Sequence, residues 1–238
     1  QGYDNLLVEE IKLLGNVEGK TLVHLQCNDG QQTLSIGRKL GANVTGVDIS
    51  DTAIDFAKRF AEAISVPAEF IRADIFDWFD ENPQPFDIVY TGYGALNWIS
   101  DIERWGEGVA KTLGPGGRLV VMEFHPLIGI FEDDWLLTYD YMGGKVMPSE
   151  GVGDYVANDW EGHFKNPHRA YEFAWGIGDI LTAVLTAGLK IETFTEYNYL
   201  NVWQRFSNMR SEGLRQYAPE DKPNLAMMFG LVAQKPSV

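Results

Sequence analysis

Short apolar runs bounded by turn residues alternate along this chain with stretches in which apolar positions recur at helical spacing. The runs predict seven strands, at Thr21–Leu25, Asn43–Asp48, Ala68–Arg72, Phe86–Tyr90, Arg118–Phe124, Lys190–Tyr197 and Leu225–Gln234. Helical spacing predicts helices over Asn5–Leu14, Gln32–Leu40, Asp51–Ile64, Asp101–Leu113 and Gly178–Ala187. Asp51 and Asp101 are placed to cap two of them, because a carboxylate there accepts from free amides of the first turn. Gly41, Gly114 and Gly188 stand where helices commonly stop.

This alternation implies an α/β fold: a Rossmann-like, doubly wound, seven-stranded sheet, mostly parallel, with helices on both faces. The last two strands, joined by a long connection, are expected to supply an antiparallel edge strand. One segment breaks the rhythm. From Pro126 to Gly176 the chain is rich in glycine and aromatics, and a stretch of roughly fifty residues without clear elements reads as a lid or substrate-binding insertion (126–176) after strand five. The whole of 1–238 is expected to be one domain, since 238 residues at 45% hydrophobic can bury one well-packed core.

Charge removes several partners. With 34 acidic against 19 basic residues, the formal charge of −15 repels phosphate backbones and anionic lipid, and no basic patch offsets it. A nucleic-acid or membrane partner is therefore not expected. The single cysteine, Cys27, allows no internal disulfide and fits a reducing, cytoplasmic setting. Nowhere do about eighteen apolar residues run together as a membrane span requires.

Open α/β sheets bind ligands at the carboxyl ends of their strands. The first such end reads "HLQCNDGQQT", the place where many folds of this class keep a glycine-rich phosphate loop, yet it holds one glycine, Gly30. The second reads "GVDIS" and puts Asp48 eighteen positions beyond Gly30, where an acidic side chain accepts from both hydroxyls of a ribose. The third, "RADIF", supplies Asp74 to accept from an adenine amine, while Ile49 and Ile75 offer apolar faces to the ring.

The ordered set "GVDIS", "RADIFDWF", "PFDIVYTGYGALNWI" and "LGPGGRLVVMEFHP" resembles the class I S-adenosylmethionine-dependent methyltransferases, from about Thr21 to Gln234. The resemblance implies S-adenosylmethionine as cofactor, with adenosine on Asp48, Ile49, Asp74 and Ile75 and the methionine end near the first loop, Tyr90 and Thr91. That family's first motif runs acidic-x-Gly-x-Gly-x-Gly, and the matching positions here are His24, Gln26, Asn28 and Gly30. The chemistry accommodates the change. Bare backbone is needed where a pyrophosphate must approach closely, whereas a tail of one ammonium and one carboxylate can be served by the side-chain amides of Gln26 and Asn28. Gly30 stays where the chain turns tightly beside the ribose.

Methyl transfer from a sulfonium needs alignment and exclusion of water, and a base only where the acceptor loses a proton. His125 in "EFHP" is the first candidate for that base, against a structural role packing under the lid; Tyr93 is the second, as an orienting or pocket-lining group. The acceptor is read as a small, flat, heteroaromatic metabolite methylated on N or O, from the aromatic density of the insertion, with Trp98, Trp135, Tyr141, Trp160 and Trp175 as candidate contacts and Tyr3 from the N-terminal segment. The same rings could instead build a small core of their own. "YMGGK", Tyr141 to Lys145, has the spacing of a short-chain dehydrogenase, but two glycines oppose the helix that chemistry needs. Asp159, Glu161, His163 and His168 match no zinc spacing, so no metal is expected. A protein that binds the cofactor without transferring methyl groups, as a sensor or partner subunit, is the reading of a different class.

Overall fold

The computed structural model describes residues 6–81, 84–132, 135–149 and 169–237. Its main sheet contains β1 (Thr21–Leu25), β2 (Asn43–Asp48), β3 (Ala68–Arg72), β4 (Phe86–Gly92), β5 (Leu113–Phe124), β8 (Lys190–Tyr197) and β12 (Met228–Gln234), in the order β3-β2-β1-β4-β5-β12-β8. β12 runs antiparallel to both neighbours, one place in from the β8 rim, and the other strands point the same way. The order reverses between β1 and β4. Leu25 at the tip of β1 is level with Val47 on one side and Thr91 on the other, so three strand ends align at this switch point, the place where open α/β sheets bind ligands.

Among the described residues six helices flank the sheet: α1 (Val8–Leu14), α2 (Gln31–Leu40), α3 (Asp51–Ile64), α4 (Ile75–Glu81), α5 (Ile102–Thr112) and α6 (Ile177–Thr186). On one face α1 and α2 bury Leu13, Leu14 and Ile36 with Tyr90, Val120 and Met122. On the other α4, α5 and α6 bury Trp78, Phe79, Trp105 and Ile180 against Val89, Val121 and Leu231. Twenty or so buried apolar side chains on each face, at about 2 kcal/mol apiece, dominate the energy that holds the layers together.

Several boundaries differ from the sequence reading. Ser50, not Asp51, caps α3, its hydroxyl accepting from Ala53; Asp51 is the first helical residue, where its charge still favours the helix dipole. Asp101 does cap α5. Gly114 ends nothing, because α5 passes directly into β5 at Leu113 and the turn is made at Gly116, φ +76°. α4 is additional: Ile75, Trp78 and Phe79 lie at helical spacing, but seven residues give too short a pattern to separate from a loop. The described part of 126–176 is not featureless either. A 3-10 turn at Pro126–Ile130 is followed by an antiparallel pair of strands, β6 (Lys145–Ser149) and β7 (Ala170–Ala174). The connection from β8 to β12 folds into a second small sheet of β9 (Tyr199–Asn201), β10 (Arg210–Glu212) and β11 (Arg215–Tyr217), which delivers Tyr199, Leu200, Phe206 and Met209 to the α1 face.

Candidate functional site

The loop after β1 keeps the backbone of a glycine-rich turn while changing its side chains. Gln26 (φ +55°), Asn28 (φ +48°) and Gly30 (φ +72°) are all left-handed. Asparagine enters that region readily, whereas glutamine does so at a cost of about 1 kcal/mol, and such strain gathers at ligand sites. Gly30 is required for a reason beyond the turn: a Cβ there would lie 2.6 Å from the Phe70 ring and 2.8 Å from Ala57. Cys27 packs beneath, buried, with its thiol pushed well above its ordinary value by burial. His24 is buried too and bonded through Nδ1 to the Thr33 hydroxyl at 2.8 Å; burial lowers its pKa to about 3, so it stays neutral.

Asp48 links the two halves of the crevice. One carboxylate oxygen accepts from the Asn28 amide (2.8 Å) and the other from the Ser50 amide (2.9 Å). It remains half-exposed, with lone pairs left for a ligand. Beside it Ile49 is 63% exposed, an apolar surface with no protein cover at a strand tip. Asp74 accepts from the Phe76 amide at 2.8 Å, starting α4, and Ile75 lies buried next to it. The residues read from the sequence as the adenosine contacts therefore stand along neighbouring tips.

Between β1 and β4 the structure shows two incomplete polar groups. Gln26 donates from Nε2 to the Ala95 carbonyl at 2.9 Å, but its Oε1 is buried with no partner among the described residues. The Thr91 hydroxyl, on the residue paired with Leu25, is likewise buried and unpartnered. Leaving such groups unmade costs roughly 1–3 kcal/mol each, so a ligand bearing a donor is what this spot lacks; the ammonium of an amino-acid tail fits it. The segment carrying Ala95 is fixed by Glu123, whose buried carboxylate accepts from the amides of Gly94, Ala95, Leu96 and Phe124. Burial raises Glu123 to about 6, against those same amides, which hold it down.

A group the sequence reading missed lies beneath the tip of β4. Glu10, on α1, is fully buried and accepts from four donors: Gln32 Nε2 (2.7 Å) and the Tyr90 hydroxyl (2.7 Å) at Oε1, and the Tyr93 hydroxyl (2.9 Å) and Leu7 amide (3.3 Å) at Oε2. Burial raises its pKa to about 7 despite these bonds. Gly92 seals the cluster's edge, since a Cβ there would come within 2.7 Å of Gln32 Oε1 and 2.9 Å of the Tyr90 oxygen. Tyr90 is thus fully enclosed with its hydroxyl engaged, leaving its backbone for any cofactor contact, whereas Tyr93 is partly accessible. From Tyr93 a line of rings runs outward to Phe124 (5.9 Å between centroids) and on to Trp203 (4.8 Å), which is 42% exposed.

His125 is placed otherwise than a free base. Its Nδ1 accepts from the Leu127 amide at 3.0 Å, capping the 3-10 turn, and its Nε2 faces Glu196 on β8 at 3.0 Å. Burial lowers its pKa, and Glu196 only partly opposes that. The described aromatics of the insertion are not gathered into one pocket. Trp135 stacks on Phe206 at 4.0 Å and donates to Asn208, whereas Trp175 donates to the Ile99 carbonyl on the opposite face and Tyr141 receives the Ile177 amide. These contacts fasten the described parts of 126–176 to the body of the fold. Trp98, in a 3-10 turn at Leu96–Trp98, is half-buried. Tyr3 and Trp160 lie outside the described residues, as do Asp159, Glu161, His163 and His168. Tyr141 precedes β6 and Lys145 begins it, so the dehydrogenase spacing is not carried on a helix. Among the described residues no helix is long and apolar enough to cross a membrane.

Residues 23–117 match a family model described as a methyltransferase domain. A 2-phytyl-1,4-naphtoquinone methyltransferase of Nostoc punctiforme is 31% identical over 141 residues, covering 53% of this chain and 60% of that protein, less than two thirds of its length. An S-adenosylmethionine-dependent methyltransferase of Clostridium acetobutylicum superposes with a TM-score of 0.64 at 14% identity, over 96% of this chain and 89% of that one. The [4+2]-cyclase SpnF shares the fold as well, with a TM-score of 0.56 and 16% identity over 93% of this chain and 76% of that one.

Proposed function

From a sheet with the strand order seen in S-adenosylmethionine-dependent methyltransferase structures and residues 23–117 that match a methyltransferase-domain model, we propose that the chain is a class I methyltransferase that binds S-adenosylmethionine across the tips of β1 to β4 and methylates oxygen or ring nitrogen of a small, flat aromatic acceptor. The observation that carries this reading is that Gln26 Oε1 and Thr91 Oγ1, at the switch point beside the strand tip bearing Asp48 and the exposed Ile49, are buried with no partner among the described residues. Asp48 would hold the ribose hydroxyls, Ile49 and Ile75 the adenine faces, Asp74 its amine, and Gln26, Asn28, Gly30, Thr91 and the Tyr90 backbone the methionine end. The cofactor supplies an electrophilic methyl group on a positively charged sulfur. The chain's part is to align the acceptor and exclude water. The Tyr93, Phe124 and Trp203 rings form an aromatic wall of suitable reach for a flat acceptor, in keeping with the naphthoquinone in the Nostoc relative's name.

Titration calorimetry with S-adenosylmethionine and S-adenosylhomocysteine tests the binding. Both should bind, and NAD should not; lack of binding to either sulfur compound sinks the reading. A shared fold does not fix the reaction, and the cyclase among the structural neighbours is the reason to keep a non-methylating binder as second reading. Radiolabelled methyl transfer to 1,4-naphthohydroquinone, catechol and a nitrogen heterocycle panel separates the two.

A further inference from the structure

We infer that the proton lost by the methyl acceptor passes to the Tyr93 hydroxyl while Tyr93 passes its own to Glu10, so that the site serves acceptors carrying a dissociable hydroxyl. This rests on the methyltransferase reading above and deepens it. Three observations meet here. Glu10 is a fully buried carboxylate to which four donors converge, and of the two hydroxyls only that of Tyr93 belongs to a partly accessible residue. The cluster abuts the tip of β4, because the α-carbon of Gly92 has no room for a Cβ beside Gln32 and Tyr90. Third, Asn201 of β9 neighbours Tyr93, and its Oδ1, on a residue 9% exposed, is buried with no partner among the described residues. That oxygen needs a donor, which a second hydroxyl or an N–H of the acceptor provides.

The step balances without any further reactant. As the S–CH3 bond breaks, the acceptor oxygen gains the methyl group and the sulfur keeps the bonding pair as a neutral thioether. The hydroxyl proton goes to the Tyr93 oxygen, and the Tyr93 proton goes to Glu10 Oε2, giving a neutral carboxylic acid that later returns its proton to solvent. One positive and one negative charge vanish together, which a buried site of low dielectric favours. Glu10 acts through Tyr93 and is a positioning and proton-holding residue. The groups that face it are Tyr90 of β4 with His24 of β1 behind it, Tyr93 with Tyr199 and Asn201 of β9, Gln32 of α2, and Glu123 of β5, felt at Tyr90. Glu9 on the same helix is paired with Arg215. Among the described residues the groups bonded to Glu10 are Gln32, Tyr90, Tyr93 and the Leu7 amide, none of them cationic, so a sulfonium arriving nearby would favour its ionised form.

The test compares wild type with Glu10→Gln and Tyr93→Phe in the full chain. Gln keeps the shape, and its neighbours can adapt because hydroxyls rotate and the Gln32 amide can flip. Calorimetry near pH 7 in buffers of differing ionisation enthalpy should show wild type releasing more protons with S-adenosylmethionine than with S-adenosylhomocysteine, and Glu10→Gln losing that excess. With 1,4-naphthohydroquinone or catechol as acceptor, kcat/KM of wild type should rise with pH through about 7. Glu10→Gln should flatten that limb and lose about 100-fold or more in kcat, a usual size for acid–base assistance, with cofactor affinity kept. Tyr93→Phe should match it. A variant that keeps the wild-type limb and rate, or equal proton release in wild type and Glu10→Gln, overturns the inference. Failure of wild type to bind either sulfur compound would instead strike the methyltransferase reading itself.

Discussion

The tips of β1 to β3 and the cluster under β4 are adjacent, yet they are built on opposite plans. At the first, polar side chains mostly close short loops of sequence: Asp48 accepts from Ser50 two positions on and Asp74 from Phe76, with the Asn28 amide, twenty positions back, as Asp48's one longer link. Their carboxylates stay half-exposed with lone pairs to offer, and the apolar Ile49 stands out in solvent. Under β4, Glu10 gathers Gln32, Tyr90 and Tyr93 from 22, 80 and 83 positions away and shuts water out. An open, locally built surface suits recognition of a ligand that must come and go. A closed cluster of distant residues suits keeping a charge away from solvent, with a pKa moved to where proton transfer is easy.

The sharpest way to break this contrast is at Asp48. Asp48→Ala removes the acceptor for ribose hydroxyls and also releases the Asn28 amide, so affinity for S-adenosylhomocysteine should fall about 100-fold, two charge-assisted bonds at the usual net worth. Asp48→Asn, which retains one acceptor oxygen, should fall about tenfold. Calorimetry reads both. Unchanged affinity in Asp48→Ala would place the sugar elsewhere and erase the division of labour between the two regions.

Glu10 offers the complementary measurement, on stability. Its folded pKa of about 7 lies above the ordinary 4.5, so between those values the folded chain holds a proton that the unfolded chain has released. Stability must therefore decline as pH rises through this window, by about 3 kcal/mol in total, and stay low above it. Glu123, raised to about 6, adds a decline over the lower part of the same range in wild type and variant alike. Urea unfolding of wild type and Glu10→Gln at pH 5 and pH 8 isolates Glu10: the variant should gain on wild type as pH rises. A constant difference across that range would mean the carboxylate is not strained by burial, and the two regions would differ less than the geometry indicates.

The same contrast explains what the sequence disclosed. The seven strands of the main sheet and the strand-end places of Asp48, Ile49, Asp74 and Ile75 are written in local pattern, in alternation and a spacing of eighteen from Gly30, whereas the switch point between β1 and β4 depends on which strands pair and is not. The first loop was half legible. Its side chains showed the missing glycines, but only φ angles show that Gln26 and Asn28 hold the left-handed backbone glycine would have given. Glu10 was invisible because "NLLVEEIKLL" reads as an amphipathic helix with its glutamates in water; nothing local says that one of the two is buried under two tyrosines from β4 and its exit. Phe124, Trp203 and Asn201 were missed likewise, since β9 is three residues long and its sheet forms from distant segments.

The smallest effect belongs to His125, and it tests whether proton transfer sits under β4 or at the end of β5. In sequence the imidazole beyond β5 looked like the base. In the structure its Nδ1 lone pair is occupied by the Leu127 amide, so the proton rests on Nε2, which points at Glu196 rather than into the crevice. A group whose one free lone pair is already bonded cannot accept the acceptor's proton without breaking the turn at Pro126–Ile130. His125→Ala should thus cost about 1 kcal/mol of stability, the usual value of a lost cap, and lower the melting temperature by a few degrees. Its kcat and its pH limb on 1,4-naphthohydroquinone should match wild type. If instead the limb disappears in His125→Ala and survives in Glu10→Gln, proton acceptance belongs to the β5 end, and the buried carboxylate under β4 is reduced to a pin that holds α1 on the sheet.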